Sequence, residues 1–336
     1  MTKSLAITAL CMTCIFSCVV KGDSPCRYPQ ICGNLTINYP FQIQGSNCGV
    51  SNFSLVCKEN STFGEGRMPF IPTPTGEYQV LNLTFNSLVI NVTHLKASSC
   101  SSSSEPAKAF FSLPRPGPFT ISGTNVFASV GCYANGSFFS TTLQSNNQSV
   151  GGMCAASCFK IFEPGYCNGF GCCQTTFMEN WRRVNLEAKP YAQPPPGECV
   201  FSTILDPTTF KVQSSDKGRL GAGTYGLKID WGIEGDVCST GNLTCSKNAA
   251  CLNVTGMPGF MVCKCDEGYA GDGYQGGLQC TDIDECSDPK LHDCIPPAGG
   301  KMSESGGFFQ LLLCKGKRGW SKELHREGHH TRSPAY

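Results

Sequence analysis

Six closely spaced cysteines have a spacing that limits the chemistry they can do. The pattern C-x6-C-x5-C-x11-C-x-C-x14-C is formed by Cys238, Cys245, Cys251, Cys263, Cys265 and Cys280. Clustered cysteines either form disulfides or bind zinc, and the cysteines of a zinc site are usually separated by about two to four residues. Because a single residue separates Cys263 from Cys265, we predict disulfides rather than zinc. The spacing alone does not determine which cysteines pair.

The amino terminus predicts the oxidising compartment that disulfides require. Lys3 precedes an apolar run from Ser4 to Val20, and small residues follow near Gly22. The run is shorter than the ~20 apolar residues of a membrane-spanning helix. We therefore interpret residues 1–22 as a secretory signal peptide, with a membrane anchor as the alternative. No later apolar segment reaches this length, so we expect an exported, extracellular mature chain without a transmembrane span.

Cysteine and sequon content agree with export. Of the 24 cysteines, 21 follow the predicted signal peptide, far more than a reducing compartment would leave unpaired. Nine Asn-x-Ser/Thr sequons predict N-linked glycans, which occupy exposed positions. The sequons begin at Asn34, Asn52, Asn60, Asn82, Asn91, Asn135, Asn147, Asn242 and Asn253.

Charge and motifs point away from two classes of function. The formal net charge is +1 at pH 7, and only 15% of residues are charged, which does not favour a nucleic-acid partner. No motif pairs two carboxylates in the manner of a glycoside hydrolase, so we expect a chain without catalytic residues. Residues 301–336 are basic and lack an apolar period; we interpret them as a disordered tail, with membrane or nucleic-acid binding as the alternative.

Short segments between turns have the alternation of half-buried strands. They include NLTINYPFQI, YQVLNLTFNSLVINVTHL, NVFASVGCY and SFFSTTL. In the second of these, Val80, Asn82 and Thr84 recur with a period of two. We find no segment with a convincing helical period. The chain is therefore predicted to be β-rich and held together by disulfides as much as by an apolar core.

Two parts of the chain resemble known extracellular modules. The six-cysteine segment, with EGYAGDGY after its single-residue gap, resembles an epidermal growth factor (EGF)-like module. That resemblance implies pairing of the first cysteine with the third, the second with the fourth and the fifth with the sixth. The preceding segments are similar, in the same order, to the extracellular part of plant wall-associated receptor kinases. They read CRYPQICGNLTINYPFQI, CGVSNFSLVC, TNVFASVGCYANGSF, GYCNGFGCCQTT and DWGIEGDVC.

The resemblance implies an all-β, small disulfide-rich fold, with a cysteine-bridged amino-terminal domain, one EGF-like module and an incomplete second one. The family continues into a membrane helix and a Ser/Thr kinase, and we interpret this chain as truncated before both. The implied division is a signal peptide over 1–22, a galacturonan-binding-like cysteine-rich domain over 23–133, an associated cysteine-rich region over 134–235, an EGF-like domain over 238–280, an incomplete calcium-binding EGF-like domain over 281–300 and a divergent tail over 301–336.

The family's extracellular part binds pectin, chiefly de-esterified homogalacturonan. The resemblance therefore implies cell-wall pectin and oligogalacturonides as partners of this chain. The alternative is a protein-binding fragment of the EGF adhesion or decoy-receptor type, whose partners would be other extracellular proteins.

A polygalacturonate site needs cations for carboxylates and aromatic faces for sugar rings. In the amino-terminal domain, acidic residues balance the basic ones, so a cationic patch would have to arise by folding. The candidate cations are Arg27, Lys58, Arg67, Lys96 and Lys108, and the candidate stacking residues are Tyr28, Tyr39, Phe41 and Tyr78. For the Tyr39–Phe41 segment, a packing corner is the alternative interpretation.

The stretch TDIDEC resembles the entrance to a calcium-binding EGF module. The resemblance implies Asp282 and Glu285 as side-chain ligands and Ile283 as a carbonyl ligand, which suits the oxygen preference of Ca²⁺. Beyond Cys294 the chain departs from the module, because Lys301 stands where the third cysteine belongs. We therefore expect calcium affinity to be poor or absent, and we expect no other cofactor.

Overall fold

The structure is a computed structural model. It describes residues 28–59, 66–100, 105–141, 149–158, 167, 169–177, 181–209, 224–235, 238, 245–284, 304–305 and 308–309. The predicted signal peptide, Arg27, Glu285 and the sequons at Asn60, Asn147 and Asn242 lie outside the described residues.

The described residues form strands, a single 3-10 turn at Ser51–Phe53 and no α-helix. The predicted all-β, disulfide-rich fold class is therefore confirmed. The strands are β1 (Gln30–Cys32), β2 (Leu35–Ile37), β3 (Gln42–Ile43), β4 (Ser54–Glu59), β5 (Arg67–Thr73), β6 (Gly76–Leu83), β7 (Ser87–Asn91), β8 (Ala97–Ser99), β9 (Ala107–Ser112), β10 (Phe119–Ile121), β11 (Val126–Val130), β12 (Ala134–Thr141), β13 (Ser149–Ala155), β14 (Cys172–Thr176), β15 (Arg183–Pro190), β16 (Val200–Leu205), β17 (Gly226–Trp231), β18 (Ile233–Glu234), β19 (Ala249–Asn253), β20 (Phe260–Cys265), β21 (Tyr269–Gly271), β22 (Cys280–Asp282), β23 (Glu304–Ser305) and β24 (Phe308–Phe309).

The largest sheet joins strands from distant parts of the chain. Its order is β10-β17-β7-β6-β5-β4-β3, and all neighbours are antiparallel except β3 and β4. Strand β17 lies between β7 and β10, with Leu227 opposite Ile90 and Ile229 opposite Leu88. These four side chains are fully buried. The apolar residues on this sheet are therefore fully buried only when β17 pairs with β7 and β10.

Two four-stranded sheets pack face to face beside the large sheet. Their orders are β14-β11-β16-β8 and β13-β12-β15-β9. Phe127 of β11 and Phe138 of β12 meet between the sheets, with ring centroids 4.7 Å apart. Strand β15 alternates strictly between buried and accessible residues, and Val184, Leu186 and Ala188 point inward. This alternation is what a strand covered on one face requires.

The predicted boundary at residue 133 crosses shared sheets. Strand β9 precedes the boundary and pairs with β15 after it, and β7 likewise pairs with β17. The described residues on either side thus contribute to common sheets, and the division at 133 stays a prediction from sequence.

Among the described residues, five disulfides cross-link the region before the EGF-like module. They join Cys32 to Cys57, Cys100 to Cys199, Cys132 to Cys158, Cys154 to Cys173 and Cys167 to Cys172. Of the twelve cysteines from Cys26 to Cys199, these account for ten. Cys48 is unbridged among the described residues, and Cys26 lies outside them.

The EGF-like module is a small sheet system with three disulfides of its own. Strand β20 pairs with β19 and β18, and β21 pairs with β22. The disulfides join Cys238 to Cys251, Cys245 to Cys263 and Cys265 to Cys280. This is the pairing order that the EGF resemblance implies.

In the tail that we expected to be disordered, β23 and β24 form a short antiparallel pair. The rest of the segment from residue 301 lies outside the described residues.

The close approach of the two four-stranded sheets depends on Gly136. A Cβ at this position would overlap Ser202 Oγ and lie 2.8 Å from Phe127 Cζ. We expect Gly136→Ala to lower the free energy of unfolding by about 1–2 kcal/mol. The steric overlap of the added methyl group costs more than alanine gains over glycine as a strand residue. Denaturant unfolding measures this difference. Ser137→Ala, on the opposite face of β12, is the control and should change stability by less than about 1 kcal/mol; equal effects of the two substitutions would contradict this interpretation.

Candidate polysaccharide-binding site

Strands β4, β5 and β6 present an accessible face that includes a predicted site residue. Lys58 Nζ lies 4.5 Å from the centroid of the Phe70 ring, a cation–π contact. Lys58 also forms an ion pair with Glu77. In the pairing of β5 with β6, Phe70 stands opposite Gln79. The Gln79 Nε2 donates to Met68 Sδ at 2.9 Å. The face thus combines an aromatic ring, an amide and a cation that is already paired with a carboxylate.

Two other predicted cations remain accessible. Lys96 is exposed. Arg67 is exposed as well, and its Nη2 donates to the carbonyl oxygen of Cys57 at 2.8 Å. Lys108 lies on a different sheet, in β9, with its Nζ 3.9 Å from Glu187 Oε1. Folding therefore distributes the predicted cations over more than one surface.

The predicted aromatic residues are used mainly for packing. Tyr39 is 7% exposed, and its ring lies 5.3 Å from that of Tyr274 in the EGF-like module. Phe41 is buried in a cluster with Phe53, Phe119 and Trp231. These two rings are therefore not presented to a ligand.

Tyr28 and Tyr78 are half-buried. The Tyr28 hydroxyl donates to the carbonyl oxygen of Phe41 at 3.1 Å, and its ring packs edge-on against Tyr39. Tyr78 packs edge-on against Phe111, with ring centroids 5.2 Å apart. Both contacts fix the ring orientation and leave only part of each ring for stacking on a sugar.

The EGF-like module is joined to the large sheet by a nearly continuous strand. Trp231 ends β17, and after Gly232 the chain enters β18, where Ile233 stands opposite Met261. A Cβ on Gly232 would lie 2.8 Å from Val254 Cγ2 and 3.0 Å from Phe260 Cβ. Glycine therefore allows the module to pack directly against the end of β17.

Asp272 is a half-buried carboxylate at this junction. Its Oδ1 accepts from the backbone N–H of Tyr274 at 3.1 Å, and its Oδ2 accepts from that of Leu278 at 2.8 Å. The backbone N–H of Tyr39, from the region of β1 to β7 that we call the first domain, also stabilises the ionised form. Burial is the larger effect and raises the pKa of Asp272 above its ordinary value. Burial likewise raises the pKa of the Tyr39 hydroxyl.

A small cavity of about 120 Å³ lies between the first domain and the EGF-like module. Asn38, Asp272 and Trp231 are among the residues that line it. Asn38 Oδ1 and Trp231 Nε1 are buried and have no hydrogen-bond partner in the protein. One buried acceptor and one buried donor therefore belong to residues that line the same cavity.

The described part of the calcium motif does not assemble a cation site. Asp282 is exposed at the end of β22, opposite Tyr269. Ile283 donates its backbone N–H to the carbonyl oxygen of Gly268 at 2.9 Å. Among the described residues there is no group of three or more His, Cys, Asp or Glu side chains that fits a metal ion. We therefore assign no calcium ligands among the described residues.

Most sequons within the described residues are accessible. Asn91 is the exception, being half-buried, with its Nδ2 donating to Gln79 Oε1 at 3.3 Å. The exposed sequon asparagines are Asn34, Asn52, Asn82, Asn135 and Asn253.

Comparison with protein families supports both resemblances. The wall-associated receptor kinase galacturonan-binding family matches residues 26–94, which contain β1 to β7. The EGF domain family matches residues 238–275. We identify the chain as a wall-associated receptor kinase-like ectodomain. In the ectodomain, Lys58, Phe70 and Gln79 lie within the galacturonan-binding match, and Asp272 lies within the EGF match.

Curated relatives of the ectodomain come from Arabidopsis thaliana. Wall-associated receptor kinase 4 is 29% identical over 283 residues, covering 80% of this chain and 36% of the relative. Wall-associated receptor kinase 3 is 30% identical over 302 residues, covering 82% of this chain and 38% of the relative. The chain thus spans a little over a third of the length of these relatives. No solved structure matches it.

A membrane-spanning helix is not found in the part of the ectodomain that the structure describes.

Sequence reasoning missed three residues that shape these surfaces. Phe70 lies between buried Pro69 and Ile71 on β5, and Gln79 precedes buried Val80 on β6, so partial alternation along these strands was the available signal. Asp272 lies within the EGYAGDGY stretch, but its burial depends on packing between two modules and leaves no local sequence pattern.

The raised pKa of Asp272 predicts how the stability of the ectodomain depends on pH. A raised pKa in the folded state contributes stability at low pH that is lost as pH rises through the folded-state pKa. We therefore expect the melting temperature to rise as pH falls from neutral toward the ordinary Asp range, and Asp272→Asn to reduce that rise. Thermal unfolding across this pH range tests it.

A second aspartate contributes to the pH dependence, and an exposed aspartate provides the control. Burial also raises the pKa of Asp230, so part of the pH dependence should persist in the variant. Asp266→Asn is the matched control, because Asp266 is exposed in the same module. A pH dependence in Asp272→Asn equal to that of the control would refute the assignment to Asp272.

Proposed function

We propose that this ectodomain binds de-esterified pectin without catalysing a reaction. The observation that carries the proposal is the match of residues 26–94 to the galacturonan-binding family. The accessible face of Lys58, Phe70 and Gln79 lies within the matched segment and offers a cation, a ring and an amide. These are the groups that bind a carboxylate, a sugar ring and hydroxyl groups.

Electrostatics defines which pectin should bind best. Homogalacturonan carries one carboxylate on each unesterified sugar, and methyl esterification removes that charge. Attraction between lysine or arginine side chains and exposed carboxylates is screened as salt rises. Recognition by cations therefore implies binding that weakens with both esterification and ionic strength.

The full secreted chain should bind polygalacturonate, bind highly methyl-esterified pectin more weakly and not bind a neutral glucan. Affinity for polygalacturonate should fall as ionic strength is raised from low to near-physiological salt. Isothermal titration calorimetry or biolayer interferometry with the three polymers measures both effects. Equal binding to all three polymers, or to none, would count against the proposal.

The predicted first-domain cations are tested by a pair of substitutions. Lys58→Gln with Arg67→Gln should weaken polygalacturonate binding by about threefold, because Lys58 is already paired with Glu77. Lys247→Gln in the EGF-like module is the control and should leave affinity unchanged. A larger loss in the control than in the double variant would place binding elsewhere.

A further inference from the structure

The outer face of the β13-β12-β15-β9 sheet carries a second set of groups suited to a polysaccharide. On β15, Val184, Leu186 and Ala188 point inward, so Arg183, Asn185, Glu187 and Lys189 point to the opposite, accessible face. The face therefore displays four polar or charged side chains at alternate positions of β15.

Two aromatic rings flank Asn185 on the neighbouring strands. Asn185 stands opposite Phe110 on β9 and opposite Phe139 on β12. Its Nδ2 donates to the Phe139 carbonyl oxygen at 3.4 Å, a long bond that holds the amide between the rings. Phe110, Phe139 and Asn185 line an open groove of about 440 Å³, together with Lys108 and Glu187.

The face around the groove carries more basic than acidic side chains. The Arg183 guanidinium lies 4.5 Å from the centroid of the Phe110 ring. Lys108 Nζ is 3.9 Å from Glu187 Oε1, and Ser137 Oγ donates to Glu187 Oε2 at 3.3 Å. Glu187 is thus the one acidic side chain on this part of β15, against Arg183 and Lys189 on the same strand and Lys108 beside it.

The two accessible faces differ in charge balance. On the face within the galacturonan-binding match, Lys58 is offset by Glu77. On the β15 face, Arg183 contacts a ring rather than a carboxylate in its described contacts, and its planar guanidinium can bind a carboxylate through two hydrogen bonds. Arg183 is therefore a cation of the β15 face that an anionic chain could reach without displacing a carboxylate from its described contacts.

We propose that this face is a second polysaccharide-binding site that takes an oligogalacturonate, outside the segment matched by the galacturonan-binding family. The inference rests on the proposed function and assigns it an additional site. Sugar rings stack on Phe110 and Phe139, Asn185 contacts hydroxyl groups, and Arg183 and Lys108 bind carboxylates. The rings stand two strand spacings apart, about 10 Å, so the groove accommodates more than one sugar.

The Asn135 sequon limits where the ligand lies. Asn135 is exposed and stands opposite Lys189, at the end of the face away from Arg183. A glycan at that position would cover the Lys189 end. The bound oligogalacturonate is therefore placed over Asn185 and toward Arg183.

The test compares three double variants of the full secreted chain, each losing two positive charges. Arg183→Gln with Lys108→Gln alters the β15 face, Lys58→Gln with Arg67→Gln removes two of the cations predicted in the first domain, and Lys247→Gln with Lys264→Gln is the control. Binding of a long oligogalacturonate is measured by calorimetry, and thermal unfolding confirms that each variant is folded. We expect the β15-face variant to lose about tenfold in affinity and the control to lose none. Arg183→Lys should retain part of the affinity, since it keeps the charge but not the planar fork.

The outcomes separate the two proposals. If the unmodified chain does not bind oligogalacturonate, the proposed function fails and this inference fails with it. If the unmodified chain binds but the β15-face variant matches the control, the second site is refuted while the proposed function stands. Equal binding of a neutral oligosaccharide that is lost in the β15-face variant would also overturn the assignment of an anionic ligand.

Discussion

The return of β17 into a sheet begun far earlier in the chain is the constraint on which the rest of the structure depends. It pairs with β7 and β10 at once and buries Leu227 and Ile229 against Ile90 and Leu88. Contacts between residues so distant in sequence require a long loop to close, which has an entropic cost. The disulfide between Cys100 and Cys199 lies within that loop and lowers the cost by restricting the unfolded chain.

The same strand also determines where the EGF-like module sits. After Gly232 the chain continues as β18, which pairs with β20 of the module. The short connection brings Tyr274 against Tyr39 and encloses Asp272 at the junction. The position of the module relative to the first domain is thus determined by backbone pairing and side-chain packing together.

Local sequence pattern predicted the fold class and the EGF-like module, but not the exposure of individual side chains. Alternation in segments such as Val80–Thr84 indicates strands, and cysteine spacing indicates the module, because both signals are local. Burial of Tyr39 and pairing of Lys58 with Glu77 depend on residues far away in sequence. The alternation of Val184, Leu186 and Ala188 with polar residues is a local signal for the accessible face of β15, although this segment is not among the strands predicted from sequence.

The uninterrupted path from β17 through Gly232 to β18 has a mechanical consequence. Tension between a polymer held on the first domain and the EGF-like module would run along this strand. The hydrogen bonds of β17 to both neighbours would then be loaded in shear, all at once, rather than peeled apart singly. A ladder loaded in this way transmits force between the modules with little extension.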